Sequence, residues 1–264
     1  MLTAVKNQIK ISFLTVKYAL MREMLNKTTF VANVFFMILN NSTFLIQWII
    51  LFSLKENVGG YTLKQVILLW GIAASTYGFS RFFFKKAFIL SDTINYGKLD
   101  SYLVQPKNVL LGAITSDVET SALGDMLYGY IMLIIYGINI KSFVLFTLFT
   151  ILGGITLTSF SVILSSLSFW FNRSDSITDT LNSIMTNFDT YPEGIFKGIV
   201  RVLLLTILPV GIVSYIPIQI LTSFNLYKFA LVVLATIIFV ALAFIIFYKG
   251  LKRYSSSNLM IAKM

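Results

Sequence analysis

The sequence has no cysteine, no histidine, only four prolines and few charges: 12% of its 264 residues are Asp, Glu, Lys or Arg. Without Cys or His there is no thiolate nucleophile, no disulfide, no Cys/His metal site and no imidazole acid or base, which removes redox and zinc enzymes. The low charge removes water-soluble globular proteins, because soluble domains carry about 25% charged residues. Also missing is any G-x-x-x-x-G-K-[ST] stretch, so ATP phosphates have no P-loop to sit in and any use of ATP must go through another chain. The apolar stretches hold no convincing pair of carboxylates, which argues against a membrane-embedded enzyme.

What is present is apolar. Hydrophobic residues make up 57% of the chain, with 24 Phe, 13 Tyr and 3 Trp, and the mean hydropathy is +0.82. This predicts an all-α polytopic membrane protein. Six crossings are expected: Thr29 to Leu54, Gln65 to Phe84, Thr120 to Ile140, Phe143 to Phe171, one in the segment from Ser174 to Leu221, and Phe229 to Tyr248. The third begins near Thr120 because Asp117, Glu119 and Asp125 precede its apolar core, and an acid at mid-bilayer costs about 2.5–3.5 kcal/mol. Asp125 reads as a solvated acid near the interface ahead of a proton relay. The fourth run is longer than the roughly 20 residues a crossing needs, so it should tilt or protrude, and its Gly153-Gly154 pair suits close helix contact.

The +10 charge sets the orientation. With the N-terminus inside, all but four of the 21 Lys and Arg fall in cytoplasmic segments, Arg173, Lys197, Arg201 and Lys263 among them; only Lys55, Lys64, Lys141 and Lys228 lie outside. Both termini are thus expected in the cytoplasm of a cell-membrane protein, and the basic surplus needs no nucleic acid to explain it. Residues 1–27 lack the continuous apolar core of a signal peptide. Instead Val5, Ile9, Phe13, Val16, Leu20 and Met24 recur at helical spacing, predicting an amphipathic helix against the inner membrane interface. Residues 28–264 then form a single transmembrane domain.

Three further patterns carry functional candidates. Asn33, Asn40, Asn41 and Gln47 fall roughly on one side of the first span, where they line a pathway or bond neighbouring helices. Residues 85–108 make a connection too long to be idle, in which Ala87 to Ile94 suits a short helix, Gly97 its cap, and Pro106 the start of the next helix. Between Ser174 and Tyr191, Ile177, Leu181, Ile184, Met185 and Phe188 form an apolar face, and Asp175, Asp179, Asn182, Thr186 and Asp189 a polar one. This amphipathic helix either lies on the inner surface, making Val200 to Leu221 the fifth crossing, or crosses itself. In the latter case Pro192 to Leu221 is a re-entrant hairpin broken at Pro209 and Pro217. Hydropathy and the basic Lys197 and Arg201 favour the former.

Taken together, the amphipathic N-terminus, six spans, Asn95-Tyr96-Gly97-Lys98-Leu99-Asp100-Ser101-Tyr102-Leu103-Val104-Gln105-Pro106 and Tyr191-Pro192-Glu193-Gly194-Ile195-Phe196, followed by Leu208-Pro209 and Tyr215-Ile216-Pro217, resemble the ABC type-2 exporter permeases, in the branch reading G-x-L-D-x-Y-L-x-x-P after the second span. The resemblance implies a permease that pairs with a second copy or a sister permease and with cytoplasmic ATPase subunits, which hold the ATP and Mg; this chain binds no cofactor. It implies that the cytoplasmic loop 85–108 couples to the ATPase, with Phe88, Ile89 and Leu99 as apolar contacts, Lys98 and Asp100 orienting them, and Gly97 and Pro106 shaping the loop. It also implies a re-entrant excursion over Tyr191, Pro192, Pro209 and Pro217, which shifts the balance toward the second arrangement, with Asp179, Asn182 and Thr186, and Asn40 and Asn41 of the first span, at a pathway or dimer interface. The implied cargo is amphipathic or apolar: a drug, an antimicrobial peptide or a lipid. An ATP-independent transporter or channel is the alternative, but no inverted repeat or ion-coupling cluster supports it.

Overall fold

A computed structural model describes residues 2–171 and 175–255, with side chains from residue 6 onward; the Val5 side chain and Arg173, Ser174 and Lys263 fall outside what is described. The described residues form helices and turns and no strand beyond one isolated bridge between Val58 and Tyr61. In chain order the helices are α1 (Leu2–Glu23), α2 (Lys27–Leu54), α3 (Leu63–Phe84), α4 (Leu90–Asn95), α5 (Asp100–Leu103), α6 (Val109–Ile114), α7 (Ala122–Gly137), α8 (Ile140–Ser166), α9 (Asp175–Phe188), α10 (Gly198–Thr206), α11 (Ile216–Thr222) and α12 (Leu226–Leu251). Several starts are set by asparagine. Asn26, Asn139 and Asn225 accept from the backbone N–H of Thr29, Ser142 and Lys228 at 2.8–3.1 Å, capping α2, α8 and α12.

Helices α2, α8 and α12, and α3 with its continuation to Asn95, are long and apolar enough to cross a membrane. Helix α7 has 16 residues, about 24 Å at 1.5 Å per residue. It packs along α3 through small residues. A Cβ added to Gly78 would come 2.6 Å from the Ala122 carbonyl, and one on Gly71 would come 3.0 Å from Met132 Cβ. Gly153 and Gly154 of α8 meet α3 in the same way, at Thr76 and the Phe79 ring. Without a hydrophobic drive between helices in lipid, such close backbone approach is what dispersion needs to hold them together. The core therefore centres on α3, with Val66, Leu68, Leu69 and Ile72 fully buried.

The ends of the bundle are distinct. Residues 85–121 lie at one end, the connector end, and residues 55–62 at the other, the far end. Helices α8 and α12 run parallel, pairing Phe149 with Phe229, Phe160 with Phe239 and Phe169 with Phe247. The chain between them must therefore return once from the connector end to the far end. Helix α9 makes that return, because its C-terminal continuation reaches the far end: the Tyr191 ring lies 5.8 Å from Trp48, and Ile195 and Pro192 pack at Gly59. Gly194 packs against the Gly59 carbonyl, which places its neighbour Glu193 at this end too.

The hydropathy-based placement of Val200 to Leu221 as a straight crossing, with Lys197 and Arg201 at the connector end, is thereby corrected. Helices α10 and α11 form a pair bent by 72°. At the bend Pro209 has no N–H to donate and the Ile212 and Val213 amides donate to its carbonyl. Residues 211–215 form one π-helical turn leading into Pro217 in the first turn of α11. Irregular backbone at this depth survives only when wrapped in protein. Val210, Val213, Ser214, Tyr215 and Ile218 are all buried, whereas α10 leaves Ile199 and Val202 exposed. Amphipathicity misled the hydropathy reading, since α9 divides into polar and apolar faces while the re-entrant pair is apolar apart from a few residues such as Arg201 and Gln219.

Candidate functional site: a polar cleft and a structured connector

The polar face of α9 opens onto a cleft shared with α2, α3 and α7. Its larger part, a cavity of about 370 Å³, is lined by Asn40, Asn41, Phe44, Trp70, Tyr77, Asp125, Thr186, Asp189 and Tyr191, among others. A second cavity of about 220 Å³ continues toward the connector end and is lined by Tyr77, Arg81, Phe88, Asp179, Asn182 and Thr186. The two share Tyr77 and Thr186, and so form one polar seam running along α9.

Several polar groups in the seam have identifiable holders. Asn41 donates to Asp125 Oδ1 at 2.6 Å, and to the Met37 carbonyl. Asp125 is 5% exposed, so the solvated reading of this acid is corrected: in a bundle, a neighbouring amide replaces water. Asn33 donates to Thr120 about two turns nearer the connector, so part of the α2 asparagine row bonds its neighbours across the helix contact. Asn40 lines the cavity, and Gln47 is exposed. Asn182 donates to Ser161 of α8, and Thr186 caps back onto the Asn182 carbonyl. Asp179 is exposed at the mouth of the smaller cavity. Arg81 is held there by Tyr77 OH, which accepts from Nε at 3.0 Å, by Glu119 at 3.6 Å, and by the Phe88 ring 4.4 Å below its guanidinium.

The connector is a folded layer rather than a loop, and it extends to residue 121. Helix α4 is closed off by Gly97, two residues past its end, whose φ of +69° requires glycine. Leu99 is fully buried and Phe88 is 3% exposed, packed with Leu90, Ile94, Leu110 and Phe247. These two side chains are therefore part of this chain's own core and present no apolar contact to a partner, which corrects the reading of the loop's surface; Ile89 is half-buried. The apolar residues that do face outward are Tyr96, Leu103 and Val104, at 66%, 42% and 84% exposure. Lys98 lies over the Tyr96 ring. Asp100 opens α5 and accepts from the Tyr254 hydroxyl at 2.8 Å; burial and this carboxylate push that hydroxyl above its ordinary value, so it stays a donor. Pro106 is exposed in the turn after α5 and starts no helix; Asn108 does, accepting from the Leu111 N–H.

The connector is also anchored on several sides. The Ala87 carbonyl accepts from Ser161 and Ser165 of α8. Gln8 of α1 accepts from the Asn108 N–H, and Asp117 binds Arg22 of α1 and Lys85. On α1 itself Val16 is buried while Ile9 and Phe13 are exposed, as a helix at a membrane interface would leave them.

An apolar helix bundle with a re-entrant pair before its last span and a folded layer between its second and third carries the architecture that the sequence motifs suggested. A family model described as ABC-2 family transporter protein matches residues 37–258, well over half of the chain. The chain belongs to this family. Members of the ABC-2 permease family are membrane transport subunits whose ATPase activity resides in partner subunits. No curated protein and no solved structure matches the chain.

The seam brings together Asn40, Asn41, Asp179, Asn182 and Thr186, named from sequence spacing, and Tyr191, named with the re-entrant region, while Pro192, Pro209 and Pro217 lie in the far-end excursion. Sequence reasoning placed Asp189 on the polar stripe but not in a site, and missed Trp70, Tyr77, Arg81 and Phe44. The Tyr77–Arg81 spacing of one turn was an available signal; nothing in the sequence ties α3 to α9.

Proposed function

We propose that this ABC-2 family chain is the transmembrane permease subunit of an ATP-driven exporter. In this reading it pairs with a second permease copy or a homologous permease in the cell membrane and moves an amphipathic or apolar substrate outward. The connector end faces the cytoplasm, with both termini, and receives a separate ATPase subunit that holds ATP and Mg.

The observation that carries this reading is the build of the connector. Lacking a nucleotide site, the chain can only receive a conformational change, and the element that receives it must be stiff and joined to the moving spans. Residues 85–121 are folded, bonded to α1 and α8, and continuous with α3 and α7. They present Tyr96, Leu103 and Val104 outward as the docking contact. Positive charge supports the orientation: with Lys197 and Arg201 moved to the far end, Lys and Arg still concentrate at the connector end.

The test is to co-express the tagged chain with an ABC ATPase from the same genome, purify it in mild detergent, and measure ATP hydrolysis of the eluate. Co-elution with hydrolysis above that of the ATPase alone is expected. Flux through proteoliposomes that proceeds at full rate without the ATPase would overturn the reading in favour of a secondary transporter or channel.

A further inference from the structure

The cleft holds two buried carboxyl groups that no cation among the described residues pairs. Asp189 is 1% exposed and lines the 370 Å³ cavity, and its Oδ1 has no hydrogen-bond partner among the described residues. Asp125, lining the same cavity, is met by a neutral amide and not by a cation. No Lys or Arg is among the described lining residues. Arg81, in the adjoining cavity, is already engaged by Glu119, Tyr77 and Phe88. A third buried polar group, the Trp70 indole N–H, also lines the cavity without a partner. A carboxylate buried at membrane depth without a partner is expensive, and such groups are retained where something else completes them.

The rest of the lining says what that partner is. Phe44 stacks on Trp70 with ring centroids 5.3 Å apart, and Tyr77 and Tyr191 present further aromatic surface. Phe44 and Tyr191 are 40% and 47% exposed, so the cavity opens outward from the chain. Aromatic faces suit an apolar body and attract cations as well. The volume lies at the small end of the about 300–1,000 Å³ of small-molecule sites, too small for a folded peptide.

We infer that this cleft binds a small amphipathic organic cation, its apolar body against Phe44, Trp70 and Tyr191 and its positive charge facing the Asp189 and Asp125 carboxyls. That the ligand is cargo rests on the transport function proposed above; that it binds here does not. Asp179 in the adjoining cavity extends the same negative character toward the connector end.

The test needs neither ATP nor ATPase. The chain in phosphatidylcholine nanodiscs is titrated with radiolabelled tetraphenylphosphonium, and separately with tetraphenylborate, its near-isosteric anion, after subtraction of empty nanodiscs. Saturable binding of the cation, not displaced by the anion, is expected. Asp189→Asn and Asp125→Asn should each weaken it by about tenfold or more, as loss of a charge partner in a low-dielectric site does. Asp189→Glu should retain it, and Glu56→Gln, an exposed far-end acid, should leave it unchanged. Equal binding of cation and anion, or cation affinity unchanged in both Asn variants, overturns the inference. The comparison of the two ions on the unmodified chain decides the matter even if a variant fails to fold. If the cation binds as described but its transport does not depend on the ATPase, the site stands and the ATP-driven reading falls.

Discussion

The α3–α7 contact should be intolerant of a single methyl group at Gly129. A Cβ there would fall onto Ser75 Oγ and the Gly71 carbonyl. The serine side chain can turn away, but the carbonyl belongs to the backbone of a helix packed along its whole length. The two helices would have to separate by about 1 Å, which forfeits a quarter to a half of the dispersion energy of the atoms facing each other. Overpacking of this kind costs about 1–3 kcal/mol, and Ala regains up to about 1 kcal/mol of helix propensity over Gly. A clash with backbone falls in the upper part of that range, about 2–3 kcal/mol, so the net loss for Gly129→Ala is about 1–2 kcal/mol, which lowers the folded-to-unfolded ratio about five- to thirtyfold. The control is Gly112→Ala. Its Cβ meets only the flexible end of Lys107, at 2.8 Å from Cε, so that variant should be neutral or slightly stabilised. Both variants should insert normally, and the difference should be read as the midpoint of thermal or SDS unfolding of the purified protein in detergent. If Gly129→Ala unfolds at the same midpoint as Gly112→Ala, the close-approach account of this interface is wrong.

Two further expectations concern the connector and the far end. Tyr96→Asp combined with Val104→Asp should leave insertion and unfolding midpoint unchanged while reducing co-purification of the ATPase. Phe88→Asp, by contrast, places a charge in the core and should fail at folding itself, seen as loss of the monodisperse peak on size exclusion. Single cysteines introduced into this cysteine-free chain should place Glu193 and Gly60 on one side of the membrane and Ser101 on the other, read by impermeant maleimide labelling of whole cells. Labelling of Glu193 together with Ser101 would contradict the path assigned to α9.

The sequence made legible whatever depends on apolar length. Helices α2, α3, α8 and α12 stand within a few residues of the expected runs, and α7 starts at Ala122, close to the Thr120 chosen from the position of the acids. The fifth return was ambiguous for a physical reason: α9 shields its polar face within the protein, so its composition is that of a surface helix, while the apolar α10–α11 pair is shielded by the bundle and by lipid. The polar residues of α9 were correctly grouped by helical period, because period is local. Which of them is buried depends on contacts far along the chain, and so Asp189 was not singled out. The same limit applied to Phe88 and Leu99. Their apolar character was plain, but whether they faced this chain or another was decided by Leu110 and Phe247, neither of them a neighbour in sequence.

The fastening of residues 85–121 divides the molecule mechanically. Helix α1 grips this layer at Asn108 and Asp117, α8 at Ala87, and the chain beyond α12 reaches back to it through Tyr254 and Asp100. A load applied there is spread at once over both ends of the polypeptide and the middle of the bundle, so that end behaves as a plate that tilts as a whole. At the opposite end Lys228, Gln219 and Glu193 form a hydrogen-bonded chain, but α2 and the turn after it meet the turn after α9 through contacts of another kind: an edge-on meeting of Trp48 with Tyr191, and Ile195 seated on Gly59. Van der Waals contacts of that sort slide and re-form without leaving a donor or acceptor stranded. Tilting the plate would therefore show up as slippage between α2 and the turn after α9, and the hinge of the molecule lies in its bonding pattern before any partner touches it.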